Sequence, residues 1–303
     1  MNVDFSVIAP VFFLVLSGFA LRKTGLIDAD FGKKLLDFTL LIPIAASAFL
    51  SIAKLRVSAG DLLLPFSAFF FVGVMLVAGR VLSKALGLAN VKAAVFRLSL
   101  LILNTAFVLI FAIPMLGPEG VQKVFLMVLG ASPLIFSVVY AVAAESSPKN
   151  KGKLSSEQLV RRILSLPPFF FSVFGLLFVL FQWDVPVWLS ALLLPLDSMS
   201  FPLLAISTGI FLQPSFSNSR VIAVSVITKM GLGFALGLAF TWFFEITGVA
   251  KAVLLAVFSS PVGFNTVAYS AREDLDLELA ASLFFVSALI GLFTVPAVFL
   301  LFS

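Results

Sequence analysis

The sequence predicts an all-α polytopic membrane protein with ten transmembrane helices. Its 303 residues are 61% hydrophobic and 12% charged, and the mean hydropathy is +1.17. Soluble domains average about 45–50% apolar and about 25% charged residues. Ten apolar runs, each near the roughly 20 residues that a helix needs to cross a bilayer, fill the chain and leave no room for a soluble domain. Two of these runs, far apart in the chain, carry the same polar interruption, Asn-Thr.

The ten spans follow one another with short polar connections and one long connection. They are predicted at residues 5–21, 35–53, 62–82, 93–116, 121–143, 163–181, 187–212, 221–244, 250–270 and 277–302. The long connection, residues 145–162, separates two halves of five spans each, residues 1–144 and 163–303. Because each half has an odd number of spans, the halves have opposite orientations, and a duplication would be an inverted repeat.

Residues of the same type recur in the two halves at nearly constant separations. Asn104-Thr105 and Asn265-Thr266 lie 161 residues apart, and Asn-Thr occurs nowhere else in the chain. Four further pairs are separated by 157 to 160 residues: Pro10 and Pro168, Gly18 and Gly175, Asp37 and Asp197, and Pro43 and Pro202. Single matches of Pro or Gly arise by chance, but both Asn-Thr pairs lie deep within spans. We therefore expect a five-plus-five inverted repeat.

The distribution of Lys and Arg predicts the orientation of the chain. One set of connections carries fifteen of these residues, the opposite set carries four, and Lys229 lies inside a span. Because basic residues accumulate in cytoplasmic loops, the 145–162 linker should be cytoplasmic and both termini should lie outside the plasma membrane. The same placement accounts for the net charge of +5 without binding to nucleic acid.

The two Asn-Thr pairs interrupt the fourth and ninth spans and predict the functional site. Non-helical backbone within a bilayer persists only where it is buried in protein or lines a cavity. Paired interruptions in inverted repeats are typical of transporter sites, because the N-termini of half-helices attract anionic groups. An alternative interpretation is that Asn and Thr simply join helices by hydrogen bonds. The candidate substrate-binding residues are Asn104, Thr105, Asn265, Thr266, Pro261 and Gly263.

Three charged residues within the spans are further candidates. Asp37 and Asp197 each precede a proline and could carry a proton or pair with a cation. Asp37 could equally be solvated near the cytoplasmic end, and Asp197 could cap a helix start. Lys229 could attract an anionic substrate, neutralise either aspartate, or extend its ammonium group to the cytoplasmic interface. The acidic turn from Glu273 to Glu278 is expected to be solvated and to cap the tenth helix.

The residue types that the chain lacks exclude several kinds of chemistry. There is no Cys and no His, which excludes thiol nucleophiles, Cys/His metal sites and imidazole bases. An intramembrane enzyme would need an aspartyl pair or a Ser-Lys dyad, and Asp37 and Asp197 lack the glycine context of an aspartyl protease. The sequence therefore predicts a protein that is not an enzyme and that uses no cofactor or metal.

Eight segments in a fixed order resemble the auxin efflux carrier family. They are residues 18–26 (GFALRKTGL), 40–43 (LLIP), 104–107 (NTAF), 166–168 (LPP), 261–265 (PVGFN), 271–273 (ARE), 278–282 (ELAAS) and 294–296 (TVP). The family includes the plant PIN-type auxin transporters and prokaryotic relatives, and it is related to the bile-acid–sodium symporters. The resemblance covers essentially the whole chain and is most specific in the closing segments.

The resemblance implies a fold and a mode of action. It implies that helices 4 and 9 are broken and cross, and that a transport domain moves against a scaffold domain in an elevator-like manner. It also implies small organic anions as substrates, such as auxin, malate or malonate. The family usually carries Pro seven residues after the Asn of the fourth span, where this chain has Phe111. We therefore expect a displaced or softer break in the fourth span than in the ninth.

The leading hypothesis is a secondary transporter of a small organic anion, with its site at the crossing of helices 4 and 9 in the lipid bilayer. The alternative is a Na⁺- or H⁺-coupled symporter or antiporter of related crossed-helix fold. That chemistry favours a carboxylate beside the crossing, and neither Asn-Thr segment contains one. A homodimer is compatible with the resemblance. The substrate, the direction of transport, the coupling ion and the oligomeric state stay open.

Overall fold

The protein is helical throughout the part of the chain that the computed structural model describes, residues 5–53, 62–148, 167–211 and 218–303, and this part contains no β-strand. Its first half contains α1 Phe5–Lys23, α2 Ala29–Leu41, α3 Pro43–Ala53, α4 Leu63–Ala85, α5 Asn90–Leu101, α6 Thr105–Leu134 and α7 Tyr140–Glu145. Its second half contains α8 Pro167–Leu180, α9 Val187–Phe211, α10 Ser219–Val226, α11 Gly233–Phe243, α12 Gly248–Phe258, α13 Phe264–Arg272 and α14 Leu277–Phe302. Two π-helical segments, Ile135–Val139 and Ile227–Leu232, join α6 to α7 and α10 to α11.

The helices have the length and surface of membrane spans. Five stretches of the described chain are long and apolar enough to cross a bilayer, and they are Leu63–Ala85, Asn90–Ala131, Val187–Phe211, Ser219–Phe243 and Leu277–Phe302. Large apolar side chains also lie on the outside of the molecule, among them Phe13, Phe66, Val77, Trp188 and Trp242. Soluble monomers rarely expose contiguous apolar surface on this scale. The chain is thus a multi-pass membrane protein.

Local sequence explains where several helices begin and end. Asp28 caps α2, since its carboxylate accepts the backbone N–H of Phe31 at 2.7 Å, and α2 therefore starts before the predicted second span. Pro43 lacks an N–H and restricts the residue before it, so the predicted span 35–53 divides into α2 and α3 at Ile42. Residues 163–166 of the predicted sixth span lie outside the described residues.

The helices pack in two groups. One group consists of α1, α2, α3, α8 and α9, and the other of α4, α5, α7 and α10 to α14. Helix α6 contacts members of both groups. Each group draws helices from before the 145–162 linker and from after it.

Two glycines allow α1 and α9 of the first group to touch along their backbones. A Cβ atom added to Gly18 would lie 2.1 Å from the carbonyl oxygen of Ile206, and one added to Gly209 would lie 1.9 Å from that of Val15. These distances are far below van der Waals contact, so any side chain at either position would separate the two helices.

The turn before α14 differs in part from the sequence-based expectation. Asp276 does cap α14, because its carboxylate accepts the N–H of Leu279 at 2.9 Å. The expectation of solvation is wrong for Glu273, which is buried and accepts a hydrogen bond from the hydroxyl of Tyr140. Tyr140 reaches this carboxylate because α7 packs against α13.

Candidate functional site: two helix breaks in contact

The first break separates α5 from α6. Ile102 is extended (φ −82°, ψ 116°), and residues 102–104 are not helical. Asn104 starts the next helix, because its Oδ1 accepts the N–H of Phe107 and its carbonyl accepts the N–H of Val108, both at 3.2 Å. Asparagine is among the most favourable residues at this capping position.

The helix that follows this break runs through the position where a proline was expected. Phe111 is fully buried within α6 and packs against Phe107, with ring centroids 5.8 Å apart. Helix α6 is instead interrupted at Gly117, whose φ of 59° and ψ of −155° are not helical. The break at residues 102–104 therefore forms without a proline at position 111, and the next proline, Pro114, lies further along α6.

The second break separates α12 from α13 and contains residues 259–263. Its last residue, Gly263, is extended (φ −75°, ψ 146°), and no side chain caps α13. The N–H of Val262 donates to Oγ of Ser287 on α14 at 3.0 Å. Pro261 packs on the same helix, where a Cβ atom added to Gly291 would lie 2.8 Å from its ring. Helix α14 thus supports this break from one side.

The two breaks are hydrogen-bonded to each other. The N–H of Asn104 donates to Oγ of Ser260 at 3.0 Å, and its Nδ2 donates to the carbonyl of Val262 at 3.2 Å. A Cβ atom added to Gly263 would lie 2.4 Å from Cγ2 of Ile102, so the two chains approach closely. Buried backbone groups need partners, and here each break supplies some of the partners of the other.

The other residues of the two Asn-Thr pairs lie at the starts of α6 and α13 and have fewer partners. Thr105 and Asn265 are half-buried, and Thr266 is buried. Within the described residues the hydroxyl of Thr266 has no hydrogen-bond partner, and the side chain of Asn265 makes no hydrogen bond either. The structure therefore brings the predicted Asn-Thr, Pro261 and Gly263 positions together, with Asn104 bonded and Asn265 available.

A small cavity adjoins the first break. Its volume is about 30 Å³, and it is lined by Leu36, Asn104, Ala106, Phe107, Leu204, Thr208, Phe211 and Phe284. This volume suits one or two water molecules but not an organic anion of several heavy atoms. The walls come from α2 and α9 on one side and from α6 and α14 on the other. The cavity thus lies at the boundary between the two packing groups.

The structure does not join the three charged candidates to one another. Asp37 is exposed on α2 and Asp197 is half-buried on α9. In the part of the chain that the structure describes, ion pairs join Lys34 to Asp30 and Lys92 to Asp276, and neither candidate aspartate takes part in one.

Lys229 lies in the π-helical segment Ile227–Leu232 and does not reach an interface. It is fully buried, and its Nζ lies 4.3 Å above the centre of the Phe71 ring. Among the described residues, this ammonium group has no hydrogen-bond partner. The expectation that Lys229 extends to the cytoplasmic interface or neutralises an aspartate is therefore wrong for this conformation.

Two contributors to the site escaped the sequence analysis. Ser260 was recognised as part of the interrupted ninth span but was not among the candidate substrate-binding residues. Ser287 is one of three hydroxyl residues in the apolar helix α14, with Ser282 and Thr294, and its position in the chain does not indicate that it holds the second break. Within the described residues, no group of three Asp, Glu, His or Cys side chains could hold a metal ion.

Comparison with known proteins identifies the broad class of the chain. No family model matches it. A protein of Methanocaldococcus jannaschii named an uncharacterized transporter is 24% identical over 307 residues, and the similarity covers 97% of each chain. This similarity and the apolar helices fit a membrane transporter.

Proposed function

We propose that the protein is a secondary transporter of a small organic anion, with its site where the two broken helices cross. The observation that carries this proposal is the contact between the breaks, in which Asn104 bonds to Ser260 and Val262 across 156 and 158 residues of sequence. Broken helices that meet inside a membrane protein are expensive to bury, and they are kept where they bind a substrate or ion.

The chemistry of the break pair favours an anion. Helices α6 and α13 both start at the breaks, and a helix N-terminus carries free N–H groups and a partial positive charge. Asn104 already caps α6, whereas no side chain caps α13. The N-terminus of α13, with Asn265 and Thr266, is therefore the better place for a substrate carboxylate, and Asn104 with Thr105 holds the opposite wall.

The arrangement of the helices supports elevator-type alternating access. The cavity beside Asn104 is too small for an organic anion, and half of its wall belongs to α2 and α9. Displacement of the group α1, α2, α3, α8 and α9 against the breaks would open it. The recurrence of α1–α3 and α8–α9 in one packing group supports the five-plus-five inverted repeat of residues 1–144 and 163–303.

The resemblance to auxin efflux carriers supports the same assignment and adds the substrate class, auxin-like compounds or mono- and dicarboxylates. The distribution of Lys and Arg supports a plasma-membrane location with both termini outside. A homodimer is compatible with the resemblance. We further infer that the protein is not an enzyme, because the break pair contains no carboxylate, thiol or imidazole to act as a general base for the hydroxyls of Ser259 and Ser260.

The second candidate function is Na⁺- or H⁺-coupled transport. One observation favours it, since the buried carboxylate of Glu273 follows the end of α13 and is hydrogen-bonded by Tyr140. It lies at the opposite end of α13 from the break, however, and the break residues themselves carry no carboxylate. A pH-gradient assay in liposomes, with Na⁺ or Li⁺ added, separates cation exchange from anion transport.

The proposal is tested by a thermal-unfolding screen of the purified protein against carboxylates, at several pH values and with or without Na⁺. A ligand that binds only the folded state raises the unfolding temperature. We expect at least one organic anion to do so, and we expect Asn265→Ala to lose the shift while its own unfolding temperature stays near that of the wild type. An equal shift in Asn265→Ala would exclude this site.

A further inference from the structure

A second, larger cavity lies apart from the helix breaks. Its volume is about 710 Å³, and it opens where the end of α4, the start of α5 and the end of α7 meet. None of the break residues lines it. Its lining residues are Arg80, Ser83, Lys84, Leu88, Asn90, Val91, Ala93, Arg97, Glu145, Ser146, Ser147 and Pro148.

The cavity carries an excess of positive charge. Arg80, Lys84 and Arg97 face it together with one carboxylate, that of Glu145. In the described part of the chain none of these four side chains forms an ion pair.

Arg97 is built into the wall of the cavity. Its Nε donates to the carbonyl of Ala93 at 3.0 Å, and its aliphatic part packs on Gly79, where an added Cβ atom would lie 3.2 Å from Cγ. Arg80 and Glu145 line the same cavity as this guanidinium group, so all three charges act on the same space. Two arginines and a lysine that line one cavity with a single carboxylate give it a positive potential, which favours an anion there.

The size and position of the cavity indicate the class of that anion. Arginine side chains present parallel N–H groups that match phosphate oxygens, and phosphate recognition uses such pairs repeatedly. The cavity lies at the ends of two membrane-spanning helices, which is the depth of lipid phosphates, and basic clusters there bind anionic headgroups. Its volume is large enough for a phosphate together with the group esterified to it.

We propose that this cavity is a binding site for a phosphate-bearing anion, held by Arg80, Lys84 and Arg97. The phosphate belongs either to the headgroup of an anionic lipid or to a soluble phosphate compound. The site is separate from the break pair and goes beyond the proposed transport function, so each can fail without the other.

The test measures the unfolding temperature of the purified full-length protein in two arms. One arm titrates inorganic phosphate against KCl at matched ionic strength, and the other compares bilayer discs of phosphatidylcholine with discs that also contain phosphatidylglycerol. We expect a rise in at least one arm, and which arm responds identifies the source of the phosphate. The double variant Arg80→Gln/Arg97→Gln should bind at least about tenfold more weakly, because charged hydrogen bonds are lost.

Three further variants sharpen the result. Glu145→Gln should strengthen binding, because it removes the one opposing carboxylate. Lys33→Gln, which changes an exposed residue on α2, should leave the phosphate response unchanged. If the double variant does not fold, the exposed Lys84→Gln replaces it, with a smaller loss expected. The proposal is overturned if the wild type responds in neither arm, or if the cavity variants respond as the wild type does.

Discussion

At the scale of single residues, the two asparagines of the Asn-Thr pairs differ in their hydrogen bonds. Asn104 uses Oδ1 to cap α6 and Nδ2 to bond to the second break. Asn265 makes neither kind of contact within the described residues, although a threonine follows it as one follows Asn104. The repeat in the sequence predicted the pairing of the two positions. It did not predict that only Asn104 would be hydrogen-bonded, because this depends on the position of the Val262 carbonyl in the folded chain.

Asn104→Ala should therefore destabilise the protein, whereas Asn265→Ala should not. The first change removes a helix cap and leaves the buried Val262 carbonyl without its donor, at a cost of about 1–3 kcal/mol. The measurement is the unfolding temperature of each ligand-free variant in the same detergent. Equal unfolding temperatures for the two variants would contradict the bonding described for Asn104.

Lys229→Met should raise the unfolding temperature of the protein. The change removes an ammonium group that is buried without a hydrogen-bond partner among the described residues, and methionine has a similar length. Removal of a buried amine that lacks a hydrogen-bond partner is worth on the order of 1–3 kcal/mol. Lys251→Met is the control, because Lys251 is only half-buried, 5.5 Å above the Phe302 ring. A lower unfolding temperature for Lys229→Met would show that the ammonium group has a stabilising partner.

At the scale of elements, apolar length and helix breakers made much of the fold predictable. The spans predicted at 62–82, 187–212 and 277–302 agree with α4, α9 and α14 to within three residues. Pro261, Gly263 and the Asn-Thr pairs correctly marked helix interruptions. The interruption at Gly117 lies between the predicted fourth and fifth spans, 93–116 and 121–143. The capped start of α2 was not predicted, because its first turn lies in a polar stretch that hydropathy assigns to a connection.

Gly209→Ala should weaken the contact between α1 and α9. The new methyl group would lie 1.9 Å from the carbonyl oxygen of Val15, and backbone cannot move aside as a side chain can. Such overpacking costs about 1–3 kcal/mol. Gly73→Ala in α4 is the matched control, since an added Cβ atom there meets nothing within 4 Å and should stabilise the helix by about 0.5–1 kcal/mol. Equal unfolding temperatures for Gly209→Ala and Gly73→Ala would contradict the close contact between α1 and α9.

At the scale of the whole molecule, the division into two packing groups could not be predicted from residue patterns alone. Hydropathy indicates which segments enter the membrane but not which of them touch, because every span offers similar apolar surface. The contacts of Gly18 and Gly209 and those of Asn104 were needed to show which helices lie together. The sequence likewise did not predict whether the charged candidates meet. Asp37, Asp197 and Lys229 lie on different helices and do not pair within the described residues.

The orientation inferred from Lys and Arg is testable because the chain contains no cysteine. A single cysteine at Ser303 should react with a membrane-impermeant maleimide added to intact cells, because both termini are proposed to lie outside. A single cysteine at Lys153, in the linker, should react only after the cells are permeabilised. The opposite pattern would reverse the orientation and exchange the two faces of the proposed transport path.

The central claim is that the contact between the two breaks holds the transported anion. The measurement that tests it most directly is uptake of the anion found in the thermal-unfolding screen, by proteoliposomes containing either the wild type or Asn265→Ala at equal protein content. The wild type should accumulate the anion. The initial uptake rate of Asn265→Ala should be at least about tenfold lower, because a buried polar contact to the carboxylate is removed. Uptake by Asn265→Ala at the wild-type rate would contradict the claim.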